Sequence, residues 1–572
     1  MIDATPQLMT ERAAWSTAVP DWEQRILERQ SLIPDLPLFL DPAEKALRIF
    51  KRLRMPDLHG QPTHGEACDD WVFDLVRTIF GAFDPETKRR AIREIFLLVP
   101  KKNGKSSIAA AIIVTACIVN ERPEAELLLI APTMTIAKIA FKQAWGIIRA
   151  DEALEKSFHV REHLRTITFF RTKAEISVKA ADSDVITGGK ATYTLIDETH
   201  EFARKSRAEG VFLELRGALA SRPDGFLMQI TTQSKDAPAG VFKQELERAR
   251  AVRDGKLDLP ILAILYELPV KIAKRWKDPK TWSMVNPNLG RSVDPQFLAD
   301  RLTAAQEDGD HALALLASQH FNVEIGVGLK GGWLGATYWE PAADDTLTGL
   351  DQLIERSEVA VIGLDGGGLD DLFAEAVVGR CAVTKDWLLW CRAWAHQDVL
   401  RARKEIASRL RDFEKSSDLI ILEEGDVLGE IVGAAEVAER LLNAGLLPDQ
   451  NAIGLDTVQV SQIMEEFMAR GITYEQLKNI GQDWRLSPAI WGMERRLKNR
   501  TFRHGNQPMM SWVVGNAKPE LRGSAVRITK ETAGKAKIDP LIAALNAYEL
   551  MSRNPVAGGP AMISIPANYR VA

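Results

Sequence analysis

The sequence predicts two α/β domains in series, joined by a connector rich in Trp, Pro and Gly. Three observations predict it. Short apolar runs alternate with helix-length segments from Asp69 onward, and the alternation restarts at Glu358. Between them, from about Arg253 to Pro341, KRWKDPKTW, VNPNLGRSVDP and LKGGWLGATYWEP break the pattern. Strand-length apolar runs interleaved with helical segments are the mark of a parallel sheet covered by helices. A chain of 572 residues, 46% hydrophobic and 26% charged, suits roughly three or four folding units and excludes a disordered, collagen-like or disulfide-stapled protein.

Residues 1–60 read as a helical lead-in, polar with short amphipathic stretches such as Glu44 to Leu53. Residues 61–252 form the first domain. Its strands are Ile95–Val99, Leu127–Ala131, Tyr193–Ile196 and Phe226–Thr231, and its helices include Ser106–Asn120 and Thr135–Arg149. Residues 253–345 are the connector, with one convincing helix near Pro295–Ala317. Residues 346–555 form the second domain, with the apolar runs VAVIGLDGGG, LFAEAVVGR, DWLLWCRAWA and AIGLD and a last helix near Pro540–Met551. Residues 556–572, with Gly558, Gly559 and nearby prolines, are expected to be a flexible tail.

Lys plus Arg number 73 against 78 Asp plus Glu, a formal charge of −5, so nucleic acid would be held by local basic patches rather than a global positive field. MERRLKNRTFRHGN, with Arg495, Arg496, Lys498, Arg500 and Arg503, is one such patch. Cys68, Cys117, Cys381 and Cys391 are too scattered for a zinc knuckle or a redox pair. The start, MIDATPQLMTERAAW, lacks the layout of a secretory signal, and the longest apolar run, Ile108–Val119, is well short of the ~20 residues that span a bilayer. An intracellular protein with no membrane partner is expected.

In IFLLVPKKNGKSSIAAAIIV an apolar strand, a short loop and a helix surround Gly104-Lys105-Ser106, the layout of a phosphate-binding P-loop. Lys102, Asn103, Gly104, Lys105, Ser106 and Ser107 are expected to line the phosphates: backbone N–H groups and the helix N-terminus cradle the oxygens, Lys105 neutralises charge and the Ser106 hydroxyl holds Mg²⁺. Val99 stands where the usual pattern has its first glycine. Downstream, TYTLIDETHEF delivers Asp197 and Glu198 from an apolar strand. Asp197 suits the Mg²⁺ shell, and Glu198 suits polarising the water that attacks the γ-phosphate. FLMQITTQS ends in Thr231-Thr232, hydroxyls placed to sense that phosphate. A pair of carboxylates capping the next segment is the plainer reading of Asp197 and Glu198.

A second set is acidic. VAVIGLDGGGLDD brings Asp365 to a glycine turn, NAIGLDTVQ brings Asp456 to the end of another run, and Asp539 opens the helix of KIDPLIAALNAY. Carboxylates so delivered can converge on two divalent cations about 4 Å apart, the arrangement that cleaves phosphodiesters. Each alone also reads as a turn or cap, Asp539 before Pro540 especially. Asp370, Asp371, Glu423, Glu424 and Asp426 are further acids near these runs.

With both sets in hand, the chain from about Asp69 to Arg553 resembles the large terminase subunit of tailed bacteriophages. PKKNGKS is similar to the family's deviant phosphate loop, Asp197, Glu198, His200 and Glu201 to its DE-x-H-E signature, and Thr231-Thr232 to its coupling motif. TWSMVNPNLG, GWLGATYWE and KIDPLIAALNAYEL resemble its connector and closing blocks. Trp71-Val72 stands where relatives often have an aromatic-Gln pair contacting adenine. The resemblance implies an N-terminal P-loop ATPase domain with a parallel sheet flanked by helices, and a C-terminal RNase H-like nuclease domain whose metal ligands are Asp365, Asp456 and Asp539. It further implies ATP with Mg²⁺ at the first site and two Mg²⁺ or Mn²⁺ at the second. The implied partners are double-stranded DNA, a small terminase subunit and the portal of the procapsid, with the chain assembled as a ring in the cytoplasm of the infected host. A transition-state arginine or lysine would come from Lys101, Lys102, Arg204, Arg207, Arg216 or a neighbouring subunit. The alternatives are a P-loop helicase whose C-terminal domain binds DNA without cutting, an actin-like ATPase built on LDGGG, and a structural protein in which both acidic sets are caps.

Overall fold

The computed structural model describes residues 14–180, 190–205, 208–325, 333–366, 371–426, 428–455, 460–523, 525–530 and 537–559. The chain divides into two compact units, Met1–Ile325 and Gly326–Ala572.

In the first unit six strands, β1 (Glu94–Leu98), β2 (Glu126–Ala131), β3 (Glu175–Ala180), β4 (Ala191–Asp197), β5 (Phe226–Thr231) and β6 (Ile261–Leu265), pair in the parallel order β6-β1-β5-β4-β2-β3. Two antiparallel strands, Thr166–Phe169 and Phe158–Arg161, extend the β3 edge. The strands are apolar on both faces because both are covered. Ile95 and Leu97 of β1 join a core with helix α1 (Lys105–Val119), while Phe96 and Leu98 pack on Phe242, Leu246 and Ala249 of helix Gly240–Arg253. Sandwiched this way, α1 has no polar stripe, and its residues Ile108 to Cys117 are all buried.

The stretch read as a connector holds more order than its sequence suggests. Helix α2 (Pro279–Val285) is capped by Asp278 with Pro279 in its first turn, and β6 falls inside the same stretch. The single helix expected over Pro295–Ala317 is two, Pro295–Asp308 and α3 (Asp310–Phe321), broken at Gly309, whose φ of 94° no helix admits. Trp276, Trp282, Leu298 and Phe321 belong to the first unit's core.

In the second unit β7 (Ser357–Asp365), β8 (Phe373–Cys381) and β9 (Trp387–Ala395) are antiparallel neighbours. The short strands β10 (Ile453–Leu455) and β11 (Leu477–Asn479) run parallel to β7 on its other side, in the order β9-β8-β7-β10-β11. Leu419–Ile421 and Phe502–His504 both pair with β9. The second unit is thus a mixed α/β fold, three antiparallel strands followed by two parallel ones. Val359 and Val361 face a core shared with helix α5 (Asp539–Met551), and Ala360, Ile362 and Leu364 face helix α4 (Gly429–Asn443). Among the described residues no helix is long and apolar enough to cross a membrane.

Candidate nucleotide and acidic sites

The loop after β1 turns through left-handed backbone at Lys102 (φ 72°) and Gly104 (φ 76°), and α1 begins at Lys105. Its unpaired first-turn N–H groups open into the loop. Val99 is still in the sheet, its N–H donating to Thr231 O at 3.1 Å, so the bend that a first glycine usually makes is made here by Lys102 and Gly104. Lys105 is 7% exposed. Burial lowers its pKa, against the raising pull of the Glu198 and Asp197 charges. Ser106 Oγ donates to Asp197 Oδ2 at 3.2 Å, bringing the two expected Mg²⁺ ligands together across 91 residues. Ser107 is half-buried one position further on.

Asp197 ends β4, and the chain turns at once through Glu198 (φ 53°) into the 3₁₀ turn Thr199–Arg204. Burial, then the neighbouring Glu198 charge, pushes the Asp197 carboxyl up to about 6. Its Oδ1 is buried with no hydrogen-bond partner among the described residues, as expected of a carboxylate shaped for a cation. The hard oxygens of Ser106 and Asp197 are donors Mg²⁺ takes. Burial would raise Glu198 as well, but the contact with His200 and the Lys105 and Lys101 charges hold it below the usual range. Thr231 and Thr232 are fully buried at the end of β5; Thr231 Oγ1 donates to Thr232 O at 2.9 Å and accepts the His200 N–H at 3.0 Å.

Of the groups weighed for the transition-state cation, Arg216 is held by Glu94 Oε2 at 2.9 Å and Glu245 Oε2 at 2.6 Å, which commits its guanidinium to the fold. Lys101 is half-buried and Lys102 exposed on the loop itself. Arg207 and the Arg204 side chain lie outside the described residues.

In the second unit Asp365 is the last residue of β7 and Asp539 the first of α5. Lys537, two residues before Asp539, pairs with Asp371 at 2.5 Å, in the β7–β8 hairpin that follows Asp365. Asn546 Nδ2 donates to Leu364 O at 2.8 Å, fixing α5 to the residue before Asp365. The helix lies so close that a Cβ on Gly363 would stand 2.1 Å from Ala543 O. Asp456 and Asp370 lie outside the described residues. Within the described set no three His, Cys, Asp or Glu residues group as a metal site. Asp426 and Glu424 are exposed, Glu424 pairing with Arg401 at 3.0 Å. In the basic segment the Arg496 guanidinium lies 3.8 Å over the Trp387 ring and Arg503 donates to Ala343 O at 2.8 Å, so two of its cations serve packing.

A parallel sheet with Lys105, Ser106, Asp197 and Glu198 at the ends of its central strands matches a known family. Residues 71–250 fit the model of the terminase large subunit, ATPase domain. That stretch resembles the ATPase domain of large terminases. The chain is 22% identical over 505 residues to the terminase large subunit of Lactococcus phage p2, covering 84% of this chain and 86% of that one. To protein YmfN of Escherichia coli (strain K12) it is 22% identical over 376 residues, 63% of this chain and 77% of the other. The crystal structure of the HK97 bacteriophage large terminase, 17% identical, covers 88% of this chain and 99% of its own with a TM-score of 0.45.

What the residue-by-residue reading missed is the outer wall of the phosphate loop. Asn103 is fully buried: its Nδ2 donates to Asn286 Oδ1 at 2.8 Å and its Oδ1 accepts the Asn288 N–H at 3.1 Å. Asn288 Nδ2 donates in turn to Asn103 O at 2.9 Å, while Asn288 Oδ1 accepts the Trp71 indole N–H at 2.8 Å. Ser292 Oγ donates to Lys102 O at 2.6 Å. At the end of α3, Gln319 O accepts the Lys101 N–H at 2.9 Å and Gln319 Nε2 donates to Gln233 O at 2.8 Å. The available signal was Asn286 and Asn288 in a stretch otherwise built of Trp, Val, Pro and Leu, where a buried amide needs a partner.

Proposed function

We propose that this chain is a DNA-packaging motor that hydrolyses ATP to move double-stranded DNA into procapsids and cuts concatemeric DNA with its second unit. The observation that carries the reading is the meeting of Lys105, Ser106, Asp197 and Glu198 within the ATPase domain. Lys102, Asn103, Gly104, Lys105, Ser106 and Ser107 bind the phosphates, with Ser106 and Asp197 as the residues that hold Mg²⁺, which offsets phosphate charge when bound. Glu198 orients and polarises the attacking water, and Thr231 and Thr232 register the γ-phosphate through the end of β5.

In the second unit Asp365, Asp456 and Asp539 would hold two Mg²⁺ or Mn²⁺, which when bound would supply positive charge for phosphodiester hydrolysis. Asp365 at the end of β7 and Asp539 at the start of α5, the helix that packs on that strand, support this. The motor works as a ring on the portal, with a small terminase subunit presenting the DNA. Of the expected bounds, 61–252 for the ATPase domain leaves out β6, which pairs with β1, so that domain runs on into the stretch 253–345, and the nuclease domain is taken as 346–555.

The test is protection of DNA from added nuclease when the chain, its small subunit, procapsids and ATP are mixed. Protection by wild type and none by Lys105→Ala is the expected result. ATP-dependent strand separation of a short duplex without protection would favour a helicase whose C-terminal unit only binds DNA.

A further inference from the structure

His200 is 5% exposed and sits two residues past Glu198 in the 3₁₀ turn Thr199–Arg204. Its Nδ1 is within reach of two acceptors. Thr231 Oγ1 hydrogen-bonds it at 3.1 Å, and Glu198 Oε2 lies 3.2 Å away. That carboxylate oxygen is buried and makes no aligned hydrogen bond among the described residues. The other ring nitrogen, Nε2, is 3.4 Å from Glu201 Oε1, which in turn lies 3.5 Å from Lys235 Nζ. The Glu201 contact and the edge of Phe242, 6.2 Å between ring centroids, hold the ring's far side. The His200 main-chain N–H donates to the same Thr231 oxygen at 3.0 Å, so turn and strand end move together. Thr231 is also tied to the phosphate loop, since its carbonyl accepts the Val99 N–H.

We propose that His200 is a positioning residue that shares its Nδ1–H between Thr231 and Glu198 and so makes the placement of the Glu198 carboxylate depend on the end of β5. A carboxylate can polarise an attacking water only with an oxygen lone pair free to accept that water's proton. With Nδ1–H on Glu198, the buried Oε2 is held and Oε1 is left to accept from the water. With Nδ1–H on Thr231, that hold is released. Because the two acceptors lie at 3.1 and 3.2 Å, a small turn of the ring with a small displacement of Thr231, the residue that runs beside the phosphate loop, carries the N–H from one to the other. Hydrolysis is thereby coupled to β5 through one imidazole. This inference rests on the reading of Glu198 as the water-polarising residue.

The experiment compares His200→Asn, His200→Gln and His200→Ala in the full chain, measuring kcat for ATP hydrolysis and the Kd for a fluorescent ATP analogue, with thermal melting as the check on folding. The Asn amide nitrogen reaches the position of Nδ1, whereas the Gln amide reaches that of Nε2. Expected are kcat within about threefold of wild type for Asn and a loss of about tenfold or more for Gln and Ala, with Kd within about twofold throughout. Thr231→Val, which removes the oxygen that accepts both His200 N–H groups, should lower kcat similarly, and the His200→Ala/Thr231→Val double variant should be no worse than either single one. Equal losses in Asn, Gln and Ala, a loss confined to Kd, or additive effects in the double variant would overturn the proposal. Glu198→Gln separates the two readings. If it abolishes turnover while His200→Ala does not, only the role of His200 fails; if it hydrolyses ATP at the wild-type rate, the reading of Glu198 fails and takes this one with it.

Discussion

At the nucleotide site, side chains from distant parts of the chain close a polar network around one loop: Asn103 is held by Asn286 and Asn288, Ser106 reaches Asp197, and Thr231 reaches His200. In the second unit Asp365 and Asp539 are placed by packing instead. Asp365 ends a strand whose Gly363 lets α5 approach, and Asp539 opens that helix, with a hydrogen bond from the Asn546 amide to Leu364 O marking the contact. A loop that must present N–H groups to an anion needs its own carbonyls and side chains satisfied from outside, so hydrogen bonds set its shape. Carboxylates that must gather cations repel one another, and the positions of their backbones have to be imposed by the core behind them. Polar truncations should therefore injure the first site, and volume changes the second.

The largest effect is expected at Glu198. Glu198→Gln should lower kcat for ATP hydrolysis by about 10²–10⁴-fold and leave nucleotide affinity nearly unchanged, as befits a group that acts on the attacking water. A change seen only in KM would move Glu198 from catalysis to binding. Next comes packing in the second unit: Gly363→Ala places a methyl 2.1 Å from Ala543 O and should cost about 1–3 kcal/mol or more in urea unfolding of that unit, abolishing DNA cutting while ATP hydrolysis continues. Retained cutting at normal stability would mean that the α5 approach does not set the acidic site.

A pH series sharpens the contrast. The Asp197 carboxyl is raised to about 6 by burial and then by the charge of Glu198. A group raised on folding stabilises the native state below its ordinary value, and that stabilisation is lost as pH rises through the folded pKa. Without divalent cation, wild type should lose about 2–3 kcal/mol relative to Asp197→Asn between pH 4 and about 6, read by denaturant unfolding of both across that window. Parallel curves would show that Asp197 is already ionised in the fold. The smallest effect is expected from Asn288→Ala, which strips the amide from Asn103 O and from the Trp71 N–H. A cost of about 1–3 kcal/mol and weaker binding of a fluorescent ATP analogue should result. Unchanged affinity would make the contact purely structural.

Much of this was legible in the sequence because it is local. The strand, loop and helix around Gly104 follow from a run of apolar residues, a residue able to take φ of 76° and an apolar run of helix length. Asp197, Asp365 and Asp539 stand out in the sequence because each sits where a periodic segment starts or stops. Two features were not legible. Gly309 lies inside the single helix expected near Pro295–Ala317, yet its φ of 94° and ψ of −177° divide that stretch into two helices. The partners of Asn103 lie 183 and 185 residues away, a pairing that leaves no period or spacing in the sequence. His200 was visible only as one letter of a family signature. The contacts that suggest its task come from Thr231, which is 31 residues distant.

The most direct test of two independent sites in one chain measures ATP hydrolysis and cutting of supercoiled plasmid in Mn²⁺ or Mg²⁺ side by side, for wild type, Lys105→Ala, Asp365→Asn and Asp539→Asn. The prediction is a double dissociation: Lys105→Ala loses about 10²–10³-fold in hydrolysis and still cuts, whereas either Asp variant hydrolyses ATP normally and does not cut. Plasmid cutting that survives in both Asp variants, or a wild type that never cuts, would contradict it and leave the acids of the second unit as turns and caps.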